Sequence, residues 1–184
     1  AVLDGSDAVM LSAETAAGKY PVETVSAMAR VCLAAESSAE VTLDRDFLNR
    51  VFSRIDESVA MAAVWTAHHM NGRAVTAFTE SGSMPLWMSR INSGLTIYAL
   101  TTANDVLTKM CLFRGVHPLL IPEVPGDFDA LLSTGEDVML SAGVVAKGDI
   151  VVLTAGEQVN TPGGTNTLKI VRVGAQGTGC AMRQ

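Results

Sequence analysis

The chain has 184 residues and a formal net charge of −6, and 48% of its residues are hydrophobic while 17% are charged. This length suffices for one hydrophobic core, or for one domain with an appendage. The acidic balance argues against a nucleic-acid partner, which requires a clustered basic surface. No stretch approaches the roughly twenty apolar residues of a membrane helix, and a signal-peptide pattern is lacking at the start. The composition is typical of a soluble α/β protein that binds neither nucleic acid nor membrane.

The cysteines and histidines predict neither a disulfide nor a metal site. Three cysteines lie far apart in the chain, at Cys32, Cys111 and Cys180. An odd, scattered set favours free thiols in a reducing cytoplasm. Cys32 and Cys111 lie on the apolar faces of predicted helices, so both are interpreted as core residues. His68 and His69 are adjacent and point about 100° apart on a helix, a poor geometry for one metal, and His117 stands alone in an apolar strand.

The chain opens with a short apolar run that leads into a polar cluster. Ala1–Gly5 resembles the tail of a helix that ends at Gly5, so the chain is expected to begin inside a helix and to have lost what preceded it. Ala8–Leu11 is predicted to be a buried parallel strand, with Ser12, Glu14 and Thr15 at its carboxyl end. Side chains in that position face the site of many α/β proteins. A plain strand, turn and helix cap is the alternative interpretation.

Helical periodicity follows from Pro21 to about Glu36, where apolar residues recur at the spacing of an amphipathic helix. Residues 37–55 change to a polar, charged composition and mark a domain boundary. A second helix is predicted to start at Asp56 as its N-cap and to run to Asn71, before Gly72.

Strands and helices then alternate. Strands are expected at 74–78, 95–100, 116–121, 149–153 and 168–173, and helices at 83–93, 103–113 and 127–143. Near-continuous apolar strands separated by helices indicate a mostly parallel sheet covered on both faces, a three-layer αβα domain. The last strand follows its predecessor after a loop too short for a crossover helix, so it should be antiparallel. The Gly-rich end of the chain, 175–184, is predicted to be a disordered tail.

Two loops of this domain have the composition of a ligand site. Thr79–Met84 places three hydroxyls and a glycine at a helix N-terminus, which suits an anion as well as it suits an ordinary helix cap. Gly156–Asn166 is by spacing alone a flexible connection between two strands. Both loops leave the carboxyl edge of the parallel part of the sheet, where a crevice between them would be the usual place for a ligand.

The opening segment Asp4-Gly-Ser-Asp-Ala-Val-Met-Leu-Ser-Ala-Glu-Thr-Ala-Ala-Gly-Lys-Tyr-Pro21 resembles the end of the catalytic barrel in pyruvate kinases. Later segments keep that family's order: Thr79-Glu-Ser-Gly82, Arg114-Gly115, Lys147-Gly-Asp149 and Gly164-Thr-Asn-Thr167. The resemblance implies that residues 1–40 are the terminal strand–helix unit of a (β/α)8 barrel with its linker. Residues 41–174 would then be the C-terminal effector and oligomerisation domain of a longer protein.

The resemblance also implies an allosteric site for a sugar phosphate or nucleotide, built from the two loops. The residues implied in effector binding are Thr79, Ser81, Gly82, Ser83, Gly163, Gly164, Thr165 and Asn166. Met84 stands where the family's phosphate loop usually has Ser or Thr, and Glu80 where fructose-bisphosphate-activated members often have a basic or neutral residue. These departures favour a monophosphate effector (a pentose or hexose phosphate, or AMP) over fructose 1,6-bisphosphate.

Members of the resembled family transfer a phosphoryl group from phosphoenolpyruvate to ADP, with Mg²⁺ (or Mn²⁺) and K⁺. The resemblance places the metal carboxylates and the catalytic lysine, arginine and threonine on earlier barrel strands, so no metal or cofactor is expected in this chain. Ser12 and Glu14 correspond to residues that lie near the substrate and its ordered waters. Lys19 is interpreted as a solvated side chain. We therefore expect this piece to be inactive by itself.

Two functions stay open at this point. The chain is either the C-terminal part of a pyruvate kinase, a family of homotetramers, or a free-standing, non-catalytic module that binds phosphorylated metabolites. Trp65, Trp87 and Met88 fit a subunit interface if exposed and a core if buried. Another phosphoenolpyruvate-using phosphotransferase is disfavoured because no motif surrounds the histidines. Without its barrel neighbours, Ala8–Glu36 is expected to be mobile or packed differently from its place in a whole enzyme.

Overall fold

The computed structural model describes residues 1–38, 50–91, 93–122, 128–156 and 164–175. Its elements in chain order are α1 (Ala13–Ala16), α2 (Pro21–Ser38), α3 (Ile55–His69), β1 (Ala74–Phe78), α4 (Ser83–Ser89), β2 (Ile97–Thr101), α5 (Asn104–Met110), β3 (Val116–Leu120), α6 (Phe128–Ser141), β4 (Ile150–Ala155) and β5 (Thr167–Arg172). The five strands form one sheet in the order β3-β2-β1-β4-β5. Neighbouring strands are parallel except for the antiparallel pair β4–β5. The predicted fold class is therefore confirmed, including the direction of the last strand.

The sheet is covered on both faces because its central strands are apolar on both sides. Every residue of β1 is buried. Val75 and Ala77 face the core shared with α3, α4 and α5. Phe78 faces the opposite core with α6 and β4. Since successive side chains of a strand point to opposite faces, this alternation produces three layers.

Helix α6 packs very close to the sheet at Gly135. A Cβ atom on Gly135 would lie 2.5 Å from Phe78 Cζ and 3.1 Å from Leu100 Cδ1. Near this contact the buried Thr76 hydroxyl donates a hydrogen bond to Met139 Sδ at 3.0 Å. The absence of a side chain at Gly135 thus lets the helix seat directly on the end of β1, just before the loop that starts at Thr79.

The predicted strand Ala8–Leu11 is wrong: these residues form no strand in the structure. Met10 is 88% exposed, and the only regular element before Pro21 is the four-residue α1. A buried parallel strand needs neighbouring strands for its backbone hydrogen bonds and apolar side chains. The described part of the chain pairs no strand with this segment, so the apolar run remains largely exposed.

The turn before that segment agrees with the sequence. Gly5 has a φ of +86°, and its N–H donates to Val2 O while the Ser6 N–H donates to Ala1 O. These are the two hydrogen bonds of a Schellman motif, with glycine at the left-handed position. The predicted helix-ending turn at Gly5 is confirmed, although residues 2–5 form a turn rather than a helix.

The helix predicted from Pro21 is confirmed and runs to Ser38, with no buried residue between 21 and 37. Its apolar side chains are accordingly exposed, as at Val22 (74%) and Val31 (68%). None of the helices within the described ranges is long and apolar enough to cross a membrane. Part of the predicted linker (39–49) and most of the predicted tail (176–184) lie outside the described residues.

Two single-residue predictions are also wrong. Asp56 is not the N-cap of α3: Arg54 holds that position, and Asp56 lies buried inside the first turn, where its carboxylate accepts hydrogen bonds from Arg54. Cys111 is exposed rather than part of the core, because α5 ends at Met110 and Cys111 is its C-cap, facing away from the sheet side. Helix α4 also ends at Ser89, four residues before the predicted end at Ser93.

Candidate functional site

The two candidate loops meet at one edge of the sheet. Parallel pairing aligns Ala77 of β1 with Thr154 of β4, so both strands end side by side and their loops leave in the same direction. The returning chain lies at the same edge, since the Asn166 N–H donates to Ala155 O at 3.3 Å and Thr167 pairs with Ala155. The start of the first loop and the end of the second therefore lie at the same edge of the sheet, which is the edge where ligands bind in open α/β sheets.

The first loop is a compact hydroxyl cluster. Thr79 Oγ1 accepts a hydrogen bond from the Gly82 N–H at 2.9 Å. Ser81 Oγ and Ser83 Oγ are 3.0 Å apart, and the Ser83 N–H points to Ser81 Oγ at 3.4 Å. Helix α4 begins directly after, with Gly82 as its N-cap residue and no side-chain cap hydrogen bond. The hydroxyls thus order the loop itself and stay half-buried at its surface.

Gly82 holds this loop against α5. It has a φ of +77°, and a Cβ atom there would lie 3.1 Å from Met110 Cγ and 3.6 Å from Phe113 Cε2. Only glycine combines a left-handed backbone with so close an approach at low cost. The loop is therefore locked between the sheet edge and the carboxyl end of α5.

Lys109 lies beside the candidate site and was not predicted from the sequence. Its Nζ lies 3.5 Å from Ser81 O and brings a positive charge to the rim of the loop. A lysine in the last turn of a helix is ordinary, because it complements the helix dipole, so its position 28 residues away in the chain carries no signal by itself. Only the packing of α5 beside the loop places it there.

The other predicted effector residues divide into three groups. Gly164 and Thr165 are half-buried at the shared edge. Asn166 is exposed and its Oδ1 accepts a hydrogen bond from Thr167 Oγ1 at 3.0 Å. Gly163 lies outside the described residues.

Glu80 and Met84, the two residues that differ from the usual phosphate loop of the resembled family, differ in their exposure. Glu80 is exposed at the surface of the loop. Met84 is 1% exposed and belongs to the core beneath α4. The side chain of Met84 therefore anchors α4, and offers no polar group to a ligand.

Ser12 and Glu14, which were predicted to lie next to an active site, form a local cluster of their own. Glu14 Oε2 accepts the Ser12 N–H at 3.0 Å, and Thr15 Oγ1 donates to Ser12 O at 3.1 Å. Ser12 and Glu14 are both exposed. In the described part of the chain no hydrogen bond joins them to the 79–84 loop, and no group of three or more His, Cys, Asp or Glu residues is arranged to hold a metal.

The three residues considered for a subunit interface separate by burial. Met88 is fully buried, so the core interpretation is right for it. Trp87 is half-buried, with the Arg54 guanidinium 5.8 Å from its ring centroid. Trp65 is 41% exposed and its ring stacks on His69 with centroids 4.1 Å apart.

Two family profiles match different parts of the chain, and the larger match falls on the three-layer α/β domain. A family profile described as "Pyruvate kinase, alpha/beta domain" matches residues 57–171, and one described as "Pyruvate kinase, barrel domain" matches residues 1–25. The chain belongs to the pyruvate kinase family.

Individual relatives extend this result over nearly the whole chain. Pyruvate kinase II of Salmonella typhimurium is 44% identical over 176 residues, which are 94% of this chain and 36% of the relative. The pyruvate kinase of Haemophilus influenzae is 45% identical over 159 residues, covering 86% and 33%. That of Staphylococcus epidermidis is 34% identical over 175 residues, covering 95% and 30%. The chain spans about a third of the length of the curated relatives that it matches.

Proposed function

We propose that this chain is the C-terminal part of a pyruvate kinase, a glycolytic transferase that moves a phosphoryl group from phosphoenolpyruvate to ADP and yields pyruvate and ATP. The observation that carries the proposal is the order of the two family matches, barrel end first and α/β domain second, within one chain. In the whole protein, Mg²⁺ (or Mn²⁺) and K⁺ would be held by barrel residues outside this chain. The odd number of cysteines favours a reducing, cytoplasmic location.

The part played by this piece is regulation and assembly rather than catalysis. Phosphoryl transfer needs metal ligands, a cationic clamp and in-line positioning. Ser12 and Glu14 supply hydroxyl and carboxyl groups beside the reacting atoms and help to relay a proton. The rest of the catalytic set lies in the missing barrel, so the 184-residue chain is inactive alone and contributes contacts to a homo-oligomer.

The effector site of this proposal lies at the shared edge of β1 and β4. Its support is the common sheet edge at which the 79–84 loop and residues 164–166 lie, together with half-buried hydroxyls and the nearby Lys109 ammonium. Hydroxyls and backbone N–H groups are suitable donors to a phosphate. In the part of the chain that the structure describes, one lysine (Lys109) is hydrogen-bonded to the loop and Glu80 is exposed on it, which suits one phosphate better than two. A sugar monophosphate or AMP is therefore the favoured effector class.

A thermal-shift titration of the chain tests this site. AMP, ribose 5-phosphate, glucose 6-phosphate and fructose 1,6-bisphosphate are compared at rising concentration. A ligand at about 100 times its Kd adds about 2.7 kcal/mol to the free energy of unfolding. For a chain of this size that raises the melting temperature by about 5–10 °C.

The matched variants are Ser81→Ala in the loop and Ser133→Ala on the exposed side of α6. We expect Ser81→Ala to remove the shift and Ser133→Ala to keep it. If none of the four compounds shifts the melting temperature, the loop serves only as a helix cap. A bisphosphate that binds much more tightly than every monophosphate would contradict the proposed effector class.

The free-standing module is the second candidate, and an immunoblot of the native gene product discriminates it. The pyruvate kinase proposal requires a polypeptide about three times the length of this chain, as in its relatives. A stable native product of 184 residues would instead favour the module.

A further inference from the structure

Asp7 ties the N-terminal segment to the α/β domain. Its Oδ2 accepts a hydrogen bond from Arg90 Nη2 at 2.7 Å, and its Oδ1 accepts the Arg114 backbone N–H at 3.0 Å. Both oxygens of one carboxylate are therefore engaged with residues 83 and 107 positions away in the chain. The side chains of Asp7 and Arg90 are only 31% and 42% exposed.

The turn before Asp7 is shaped to make this contact. Gly5 adopts a φ of +86°, and a Cβ atom on it would lie 3.1 Å from Arg114 Nη1. Glycine therefore suits the left-handed turn, and its lack of a side chain leaves room for the Arg114 guanidinium. The hydrogen bond from Arg90 lowers the pKa of Asp7, so the carboxylate is ionised at neutral pH.

Each donor to Asp7 directly follows a part of the chain that adjoins the 79–84 loop. Arg90 is the C-cap of α4, whose first residue is Ser83. Helix α4 has seven residues, so about 10 Å separates its ends. The buried side chains of Met84 and Met88 fix it to the core. Because close-packed interiors transmit strain, a disturbance at one end of this short helix reaches the other end.

The second connection runs through the turn that follows α5. Phe113 Cε2 lies 3.6 Å from the Cβ position of Gly82, and Arg114 is the next residue in the chain. The Phe113 N–H donates to Met110 O, and Met110 itself contacts the Gly82 position, so this turn is tied to the loop. Two independent contacts therefore lead from Gly82 to the two oxygens of Asp7.

We propose that Asp7 is the positioning residue through which the 79–84 loop sets the placement of the segment that carries Ser12 and Glu14. This connection from the loop to the segment, here called the relay, rests on the proposed effector function, which names the class of ligand. A ligand that shifts the loop moves Arg90 and the Arg114 N–H together. Asp7 follows both donors, and the segment five residues further on moves with it.

Distance measurement by double electron–electron resonance tests this on the full 184-residue chain. One spin label is attached to native Cys111 and the other to Ala16→Cys, both at exposed positions. The remaining cysteines are replaced by serine. Asp7→Asn removes the charge at nearly unchanged size. Asp4→Asn is the matched control, since Asp4 lies in the same turn and pairs with the N-terminal amine.

Without ligand, we expect Asp7→Asn to raise the population of detached segments about fivefold, seen as a broader distance distribution, because a half-exposed charge-assisted hydrogen bond is lost. Asp4→Asn should leave the distribution unchanged. Arg90→Gln should broaden it to the same extent, and the double variant should add nothing further, because both changes break one bond. An unchanged distribution in Asp7→Asn overturns the proposal.

A second arm tests the connection to the loop. The monophosphate that raises the melting temperature should shift the distance distribution of the parent chain and leave that of Asp7→Asn unmoved, while both bind with similar affinity. A ligand that binds without shifting the parent distribution overturns the relay but keeps the effector site.

If no monophosphate binds, the effector function fails by itself, and Gly82→Ala replaces the ligand as the disturbance of the loop. The relay then requires that Gly82→Ala change the distance distribution when it is made in the parent chain. The same substitution should leave the distribution unchanged when it is made in the Asp7→Asn variant. A distribution that Gly82→Ala leaves unchanged in the parent overturns the relay.

Discussion

Replacing Asp56 by asparagine should destabilise the α/β domain by about 1–2 kcal/mol at neutral pH. Asp56 is 4% exposed, and its two oxygens accept Arg54 Nε at 2.9 Å and Arg54 Nη2 at 2.6 Å. Oδ1 also accepts the Glu57 N–H at 3.1 Å. The asparagine retains one acceptor oxygen, so one charge-assisted bond and the negative charge at the helix start are lost.

The size of this loss in free energy of unfolding follows from these contacts, after a reduction for solvent screening. Hydrogen bonds to charged groups contribute about 1.5–3 kcal/mol each when buried. The Arg54 side chain is 54% exposed, so solvent screens the pair and the lower end of the range applies. With an m value of about 2 kcal/mol per molar, the urea midpoint should fall by about 0.5–1 M. Urea unfolding followed by circular dichroism measures this shift.

The pH dependence gives the sharper test. The hydrogen bond from Arg54 lowers the pKa of Asp56 below its ordinary value of 3.8. A carboxylate with a lowered pKa stabilises the folded state above its unfolded pKa, and this contribution is lost as the pH falls through the folded pKa. The difference between the parent and Asp56→Asn should therefore be constant from pH 7 to pH 5 and shrink below pH 3.8.

Glu57→Gln is the matched control, because Glu57 also lies in the first turn of α3 but is only half-buried. It should change the urea midpoint by much less than Asp56→Asn. An Asp56→Asn variant as stable as the parent at pH 7 would refute the argument. So would a difference in stability that stays the same down to pH 3, since the Asp56 charge would then play no part.

Two further outcomes are expected. Met88→Ala should lower the free energy of unfolding by about 2–5 kcal/mol, because Met88 is fully buried beneath α4, while Leu112→Ala at a 64% exposed position should cost far less in the same urea experiment. Cys111, exposed at the end of α5, should be alkylated in the native protein well before the half-buried Cys32, as measured by peptide mass spectrometry, and equal rates would show that the end of α5 is not placed as described.

Local sequence patterns predicted the α/β domain well for a physical reason. The central strands are apolar on both faces, and helical spacing between them leaves few alternatives to a parallel, doubly covered sheet. β1 spans Ala74–Phe78, as its apolar run indicates. The short connection before β5 allows only an antiparallel return, which the structure contains. The approximate location of the candidate loops follows from the same order of elements.

The predictions that failed depend on neighbours that a local pattern does not contain. The apolar run Ala8–Leu11 has the composition of a buried strand, yet a strand requires partners, and the described part of the chain supplies none. Asp56 has the chemistry of an N-cap, but its carboxylate forms a bidentate pair with Arg54 within the first turn of the helix. Cys111 follows the apolar face of α5 by spacing, and the early end of that helix turns it outward.

The sequence by itself determined the family, the order of the two segments and the class of fold, because these depend on residue types and their periodicity along the chain. The tertiary structure alone decided which distant groups meet. Lys109 at Ser81, Phe113 at Gly82 and Arg90 at Asp7 are contacts between elements far apart in sequence. Such contacts arise from how helices seat on the sheet, through packing and charge pairing that no local pattern encodes.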